Sequence, residues 1–307
     1  MRVLNLSTND YANFAHDNAK ALRAVGVDCV DLKTKAHQLG YTTQSKVSTP
    51  QEITKAIDQA DLIQIFHSDL HLLSLVKDKS KRVVVYHTGT NYRDNSEKLN
   101  KAFNKHVETS IIALSEFSGL GAKNETYVVG AIDCDNAVFD CDVLGITEAV
   151  KIAHYPSNPE VKGTREIVKM MLSNRIEYDF DFTYSSNLLG HSEQSDRLSK
   201  CHVYIELFKP VLRGKTYGSW GITALEAAKL GKIVITQNLN KDVYFDSYGD
   251  CPLLLANTPK QFYDALNVVT TLNPIELKAM QKETFDWVTK NHSYIATGNK
   301  IKSILNL

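Results

Sequence analysis

Short apolar runs alternate with stretches of helical spacing along the whole chain. Residues 3–6 predict a buried strand. Residues 13–25 then place Phe14, Ala19, Leu22 and Val25 on one helical face, and Gly26 ends that helix. A second strand is predicted over 29–32, a short helix over 53–60, a third strand over 62–66 and a helix over 70–76. Residues 83–86 predict a fourth strand with three valines in a row, and 111–114 and 127–129 complete the series. Strand, helix, strand at this spacing means a parallel sheet with helices on both faces.

The pattern then restarts. Strands are predicted over 152–155, 180–184, 203–207, 233–236 and 252–255, and helices over 164–172, 223–230, 259–270 and 274–290. Residues 295–305 form a last amphipathic stretch. The expected organisation is two Rossmann-like domains facing a central cleft. The first covers 1–140, the second 141–290, with 133–148 as linker and 291–307 packing back on the first. Ligands in such open sheets bind at the C-terminal strand edges.

The length of 307 residues fits two domains. With 43% hydrophobic and 23% charged residues, disorder as the main state is excluded. No window approaches 18 uninterrupted apolar residues, so no transmembrane helix is expected, and the first residues lack the apolar run of a signal peptide. Basic and acidic residues balance at 35 each, which speaks against a polybasic nucleic-acid or membrane protein. The halves differ: 16 basic against 19 acidic in 1–150, 19 against 16 in 151–307. A mildly basic second half suits an anionic small molecule. Five cysteines with no CxxC argue against a disulfide framework or a zinc site and for a reducing, cytoplasmic setting.

Three stretches carry candidate chemistry. In 217–236, YGSWGITALEAAKLGKIVIT, Gly218 and Gly221 flank a helix start whose free N–H groups attract phosphate. Glu226 lies near that end, and a carboxylate suits the vicinal hydroxyls of a ribose. The bland alternative is a packing helix with Glu226 on its solvated side. In 151–165, KIAHYPSNPEVKGTR, Lys162 sits at a strand-to-helix turn, placed to neutralise a phosphate or merely exposed. In 83–94, VVVYHTGTNYRD, His87 ends a valine-rich strand before Gly89 and Arg93; a lone histidine there is ligand-facing or structural. Lys209, Arg213 and Lys215 read as a solvated loop or a phosphate contact at the cleft rim. Tyr11, Tyr41, Tyr92 and Tyr217 fall in predicted loops.

Together these stretches resemble the GT-B glycosyltransferases, specifically the retaining, family-4-type enzymes. The likeness covers nearly the whole chain in order. It is most specific at 218–236, similar to G-x-x-G-x-x-x-x-E-A-x-x-x-G-K-x-V-I. HYPSNPEVKGT resembles the H-x-P-S-N…K-G-T variant, and His87, Gly89 and Arg93 an H-x-G-x-x-x-R motif. The resemblance implies that Glu226 holds the donor ribose, Lys162 contacts the diphosphate, and His87 lines the sugar site. Gly218, Ser219, Trp220, Gly221 and Ile222 would form the loop and helix start at the donor. His154 would stand near the family's phosphate arginine. Thr88, Gly89, Arg93 and Asn9 would lie on the acceptor or sugar side. Where the family carries a second glutamate eight residues before Glu226, this chain has Gly218. Ser7-Thr8-Asn9-Asp10 replaces its glycine-rich first loop.

The implied reaction is sugar transfer from a nucleotide diphosphate sugar, UDP the commoner nucleotide, to a hydroxyl of a glycan or lipid-linked precursor. It would retain configuration and need no metal or other cofactor. Two further readings stand beside it. Viral enzymes of the same fold glycosylate hydroxymethylated bases in DNA, which would place the protein in a host cytoplasm, and the 197–215 segment is basic. A non-catalytic protein that binds a nucleotide sugar is the other.

Overall fold

The computed structural model describes residues 1–37, 40–77, 79–135, 137–139, 149–173, 178–184 and 189–307. It divides into two compact units, Met1–Asp135 with Asn291–Leu307, and Asn136–Lys290. The division falls five residues before the boundary expected at 140, and most of the expected linker lies outside the described residues.

Unit 1 runs β1 (Arg2–Ser7), α1 (Phe14–Ala24), β2 (Asp28–Lys33), β3 (Lys46–Val47), α2 (Pro50–Gln59), β4 (Leu62–Ile65), α3 (Leu70–Val76), β5 (Arg82–His87), α4 (Gly89–Phe103), β6 (Thr109–Ile112) and β7 (Glu125–Tyr127). Its seven strands are parallel in the order β3-β2-β1-β4-β5-β6-β7. Both faces of the central strands are covered, so β4 is buried at every position and β5 at all but its first. Helix starts follow local chemistry. Thr49 and Glu52 form a reciprocal capping box before Pro50, and Asp69 accepts from the His71 and Leu72 amides.

Unit 2 runs β8 (Lys151–His154), α5 (Pro159–Lys162), α6 (Thr164–Ser173), β9 (Asp179–Phe182), α7 (His191–Ser199), β10 (Val203–Ile205), a hairpin of β11 (Val211–Leu212) and β12 (Lys215–Thr216), α8 (Ile222–Lys229), β13 (Ile233–Thr236), α9 (Lys241–Tyr248), β14 (Leu254–Leu255), α10 (Pro259–Thr271) and α11 (Pro274–His292). Its main sheet is parallel, in the order β14-β13-β10-β8-β9. Ile152, Val203, Ile205, Ile233 and Ile235 meet Phe208, Phe262 and Leu266 in one core. Each such large side chain contributes roughly 1.5–3 kcal/mol on burial.

The last helix, α12 (Tyr294–Leu305), belongs to unit 1 and packs along α1. The Tyr294 hydroxyl donates to Asp17 (2.8 Å), and Lys302 Nζ donates to the Val25 carbonyl (3.2 Å). Burial raises the Asp17 carboxyl to about 7, against the lowering effect of the Tyr294 hydrogen bond.

Besides the one-turn α5, three helices were not expected. In α4 only Tyr92, Leu99, Asn100 and Phe103 are buried, in α7 only Leu198 and in α9 only Tyr244. Such sparse apolar marks leave little period to read. Tyr92 is therefore a buried helical residue rather than a loop aromatic, and Tyr217 packs on Leu207 and Leu212.

Candidate functional site

In unit 2 the ends of β8, β10 and β13 meet the start of α8. Asn158 caps α5 by accepting from the Val161 amide (3.2 Å), and Pro159 fixes its first turn. Gly163 ends it at φ 75°, where a Cβ would stand 1.9 Å from the Phe208 carbonyl oxygen. Only glycine fits, and the halt leaves Lys162 at the sheet edge. Its Nζ is ion-paired with Glu206, the residue after β10. The Glu206 side chain is wholly inaccessible, Lys162 17% exposed. Glu206 also accepts from Thr236 Oγ1 (2.9 Å) and from the Gly221 amide (3.4 Å). A buried carboxylate needs such partners, and here they fix a lysine against the N-terminus of an eight-residue helix.

Gly221, Ile222 and Glu226 lie half-exposed along α8. Glu226 Oε1 is 2.9 Å from His191 Nε2, at the start of α7. Ser219 and Trp220 are buried instead. The Trp220 ring packs edge-on against Trp287 and tilted on Tyr244, so its body belongs to the core. Gly218, at φ 148°, holds its Cα against Gln237, where a Cβ would meet the Gln237 side chain at 2.9 Å.

His154, expected at the donor, is fully buried. Its Nδ1–H donates to the Ile205 carbonyl (2.7 Å), and Nε2 accepts from Thr164 Oγ1 (2.9 Å). Both nitrogens are spent inside the unit, and burial lowers the ring to about 4, keeping it neutral. The residue ties β8 to β10 and α6; the donor role moves off it. The basic loop changes meaning too. Lys209 pairs with Glu166, Arg213 lies 4.0 Å from Glu160, and Arg197 pairs with Glu193 at 3.0 Å.

In unit 1, His87 is enclosed rather than lining a surface. It is fully buried, its ring stacked on Tyr92 with centroids 3.9 Å apart, and it shares a 2.9 Å hydrogen bond with Ser68. Burial lowers it to about 3, so it stays uncharged. Arg93 is on α4, paired with Glu116 and lying over the Phe117 ring. Gly89 is exposed. Thr88 is half-buried, with Oγ1 2.6 Å from His67 Nδ1. Asn9 is half-buried, and its Oδ1 has no hydrogen-bond partner among the described residues. Sequence reasoning missed Glu206, His191 and His67. For Glu206 and His67 the available signal was a lone polar residue at the end of an apolar run, VYIE and LIQIFH.

No family model matches the sequence, and no curated protein matches it. Solved structures do. HepE of Anabaena, in complex with UDP and glucose, superposes with a TM-score of 0.67 over 100% of this chain and 99% of its own, at 11% identity. AviGT4, a glycosyltransferase involved in avilamycin A biosynthesis, gives 0.59 over 100% and 97%, at 10% identity. The spinosyn forosaminyltransferase SpnP gives 0.52 over 100% of both chains, at 11% identity. The fold is α/β of the GT-B class, with Rossmann-like units and parallel sheets.

Proposed function

We propose that this protein is a glycosyltransferase that moves a sugar from a nucleotide diphosphate sugar to a hydroxyl acceptor. The observation that carries this reading is Lys162, held at the sheet edge against the α8 N-terminus by the buried Glu206. An anion there meets a fixed cation and the positive end of the α8 dipole. Departure of a diphosphate from the anomeric carbon builds charge on the leaving oxygen through an oxocarbenium-like state. Preorganised donors of this kind each contribute about 2.7–4 kcal/mol in well-studied enzymes. The scheme is metal-independent. Glu226, braced by His191, binds the ribose hydroxyls. HepE is solved with UDP, with UDP and glucose, and with UDP-glucose, which supports a uridine nucleotide.

The acceptor is a glycan or lipid-linked hydroxyl. Modified DNA is disfavoured, because three of the five basic residues in 197–215 already face carboxylates. Retention of configuration rests on the motif resemblance alone. A cytoplasmic setting agrees with the cysteine usage; among the described residues no helix is long and apolar enough to cross a membrane.

The test is a thermal-shift screen of UDP-, GDP-, ADP- and dTDP-sugars on wild type and Glu226→Ala. Saturation at ~100 times Kd stabilises by about 2.7 kcal/mol. One nucleotide class should shift the wild type, and Glu226→Ala should lose most of the shift. No shift with any donor in a folded sample overturns the reading. Binding without release of nucleotide would indicate the non-catalytic alternative.

A further inference from the structure

Unit 2 has a second hollow at the C-terminal edge of its sheet, the edge at which open parallel sheets take ligands. It is a cavity of about 380 Å³ between the ends of β13 and β14, bounded by α9. That size falls within the range of small-molecule sites. None of Lys162, Glu206, Gly221 and Glu226 lines it, so it is separate from the anion site at α8. Its walls are held by bonds made outside it. The Asn238 amide donates to Asn257 Oδ1 (2.9 Å), and Asn257 Nδ2 donates back to the Asn238 carbonyl (2.9 Å), which ties the exit of β13 to the exit of β14. The Tyr244 hydroxyl accepts from Trp287 Nε1 (2.9 Å), and Tyr248 stacks on the Tyr244 ring at 5.0 Å, so α9 is pinned. Gly249 ends α9 at φ 80°, its amide donating to the Phe245 carbonyl (2.8 Å), and the chain turns to bring Asp250 and Cys251 to the cavity.

The lining has a definite chemistry. Phe245 is 57% exposed, and no other ring among the described residues packs on it. Asp242 and Asp250 are exposed, and neither side chain makes a hydrogen bond or ion pair among the described residues; the same holds for Lys241. Burial pushes the Cys251 thiol up to about 12, so it is an uncharged wall. Three kinds of ligand can be weighed against this set. A phosphate or carboxylate meets two carboxylates for one lysine and is repelled. An alkyl chain covers Phe245 but takes water from the charged groups and gives them no partner. A pyranose answers every group. Its hydroxyls donate to the carboxylates and accept from the lysine, while its C–H face covers the aromatic ring.

We propose that this hollow is a saccharide site. It holds one pyranose ring of a glycan, with Phe245 against the ring's apolar face and Asp242 and Asp250 accepting from its hydroxyls. The site goes beyond the transferase reading and does not depend on it, because the cavity lies within unit 2 and shares no residue with the α8 site. No bond is made or broken there. Its work is retention: a sugar chain gripped away from its reacting end stays on the protein, and the local concentration of that end rises. The hollow and the loop expected at the donor are neighbours. Asn238 bridges Ser219, and the Leu239 amide donates to the Gly218 carbonyl (3.0 Å). A sugar bound at one must therefore be told from a sugar bound at the other.

The experiment is saturation-transfer proton NMR on the full chain. The probes are the methyl pyranosides of glucose, galactose, mannose, xylose, rhamnose and N-acetylglucosamine, each with and without excess UDP. At least one should bind the wild type, with a Kd that neither UDP nor Glu226→Ala changes. Phe245→Ala should weaken that binding roughly 2–10-fold, the worth of an aromatic contact. Asp242→Ala should weaken it about tenfold, the worth of a hydrogen bond to a charged group. Both side chains are exposed, so both variants should melt close to the wild type. No saturation transfer from any probe to a folded wild type overturns the site. So does binding that UDP displaces, or binding that neither variant weakens by about twofold. Each of these leaves the transferase reading intact. A pyranoside bound as expected, in a protein that no nucleotide sugar shifts, keeps this site and overturns that reading.

Discussion

The ion pair of Lys162 and Glu206 makes the sharpest stability prediction. Lys162→Met keeps the length of the side chain and removes its charge, stranding a carboxylate whose side chain has no solvent access. Thr236 and the Gly221 amide remain as partners, but the opposite charge is gone. Breaking a buried pair in this way costs about 3–5 kcal/mol. For a unit of about 150 residues, each kcal/mol moves Tm by about 2–4 °C, so unit 2 should melt roughly 6–20 °C lower. Glu206→Gln alone should also cost, because its amide turns a donor toward Lys162 or Gly221. The double variant removes both charges and should recover much of the loss, with a coupling of about 2–3 kcal/mol. The assay is calorimetry of the four members of the cycle at neutral pH. A coupling below about 0.5 kcal/mol would refute the claim that Glu206 holds Lys162 by charge. The same cycle bears on binding: Glu206→Gln leaves Lys162 unopposed and should tighten nucleotide diphosphate binding, with a steeper dependence on salt.

Three further outcomes follow. The Asp17 carboxyl titrates near 3.8 unfolded and about 7 folded, so its contribution to unit 1 is full below pH ~4 and is lost as pH rises to 7. That loss reaches about 4 kcal/mol. Asp17→Asn keeps an acceptor for Tyr294 and should make unit 1 more stable than wild type at pH 8, with a flat pH profile in denaturant titrations. Gly218→Glu introduces the carboxylate that the enzymes it resembles carry there but puts a Cβ 2.9 Å from Gln237 at φ 148°; it should lower stability by ~1–3 kcal/mol and not raise turnover. Duplex DNA carrying hydroxymethylated bases should elute at low salt from the immobilised protein, and retention at physiological ionic strength would reinstate the DNA acceptor.

Most strands were readable because parallel strands buried on both faces appear as unbroken apolar runs, as in 83–86. Helices with one or two buried residues left no such mark, which is why α7 and α9 emerge only in three dimensions. The site divides in the same way. Lys162 is conspicuous because it follows a strand, a proline and a turn. Its partner Glu206 comes from 44 residues further on, and nothing local pairs the two. His87 stood out by its place at a strand end, yet that place lies inside the layer formed by Tyr92 and Phe103, and the ring is enclosed. The neighbouring strand end supplies His67, which a two-residue left-handed turn lifts to the edge. Backbone handedness of that kind is set by tertiary fit, not by residue type.

Because α12 completes unit 1 from beyond residue 290, unit 2 is an insertion within unit 1. During synthesis at about 5–20 residues per second, residues 136–290 take roughly 8–30 s to make. Throughout that interval α1 is present without the helix that covers it, with Ala21 and Asp17 open to solvent or to a chaperone. The inserted unit, contiguous in sequence, can close its own core first. The unit that is begun first is therefore finished last.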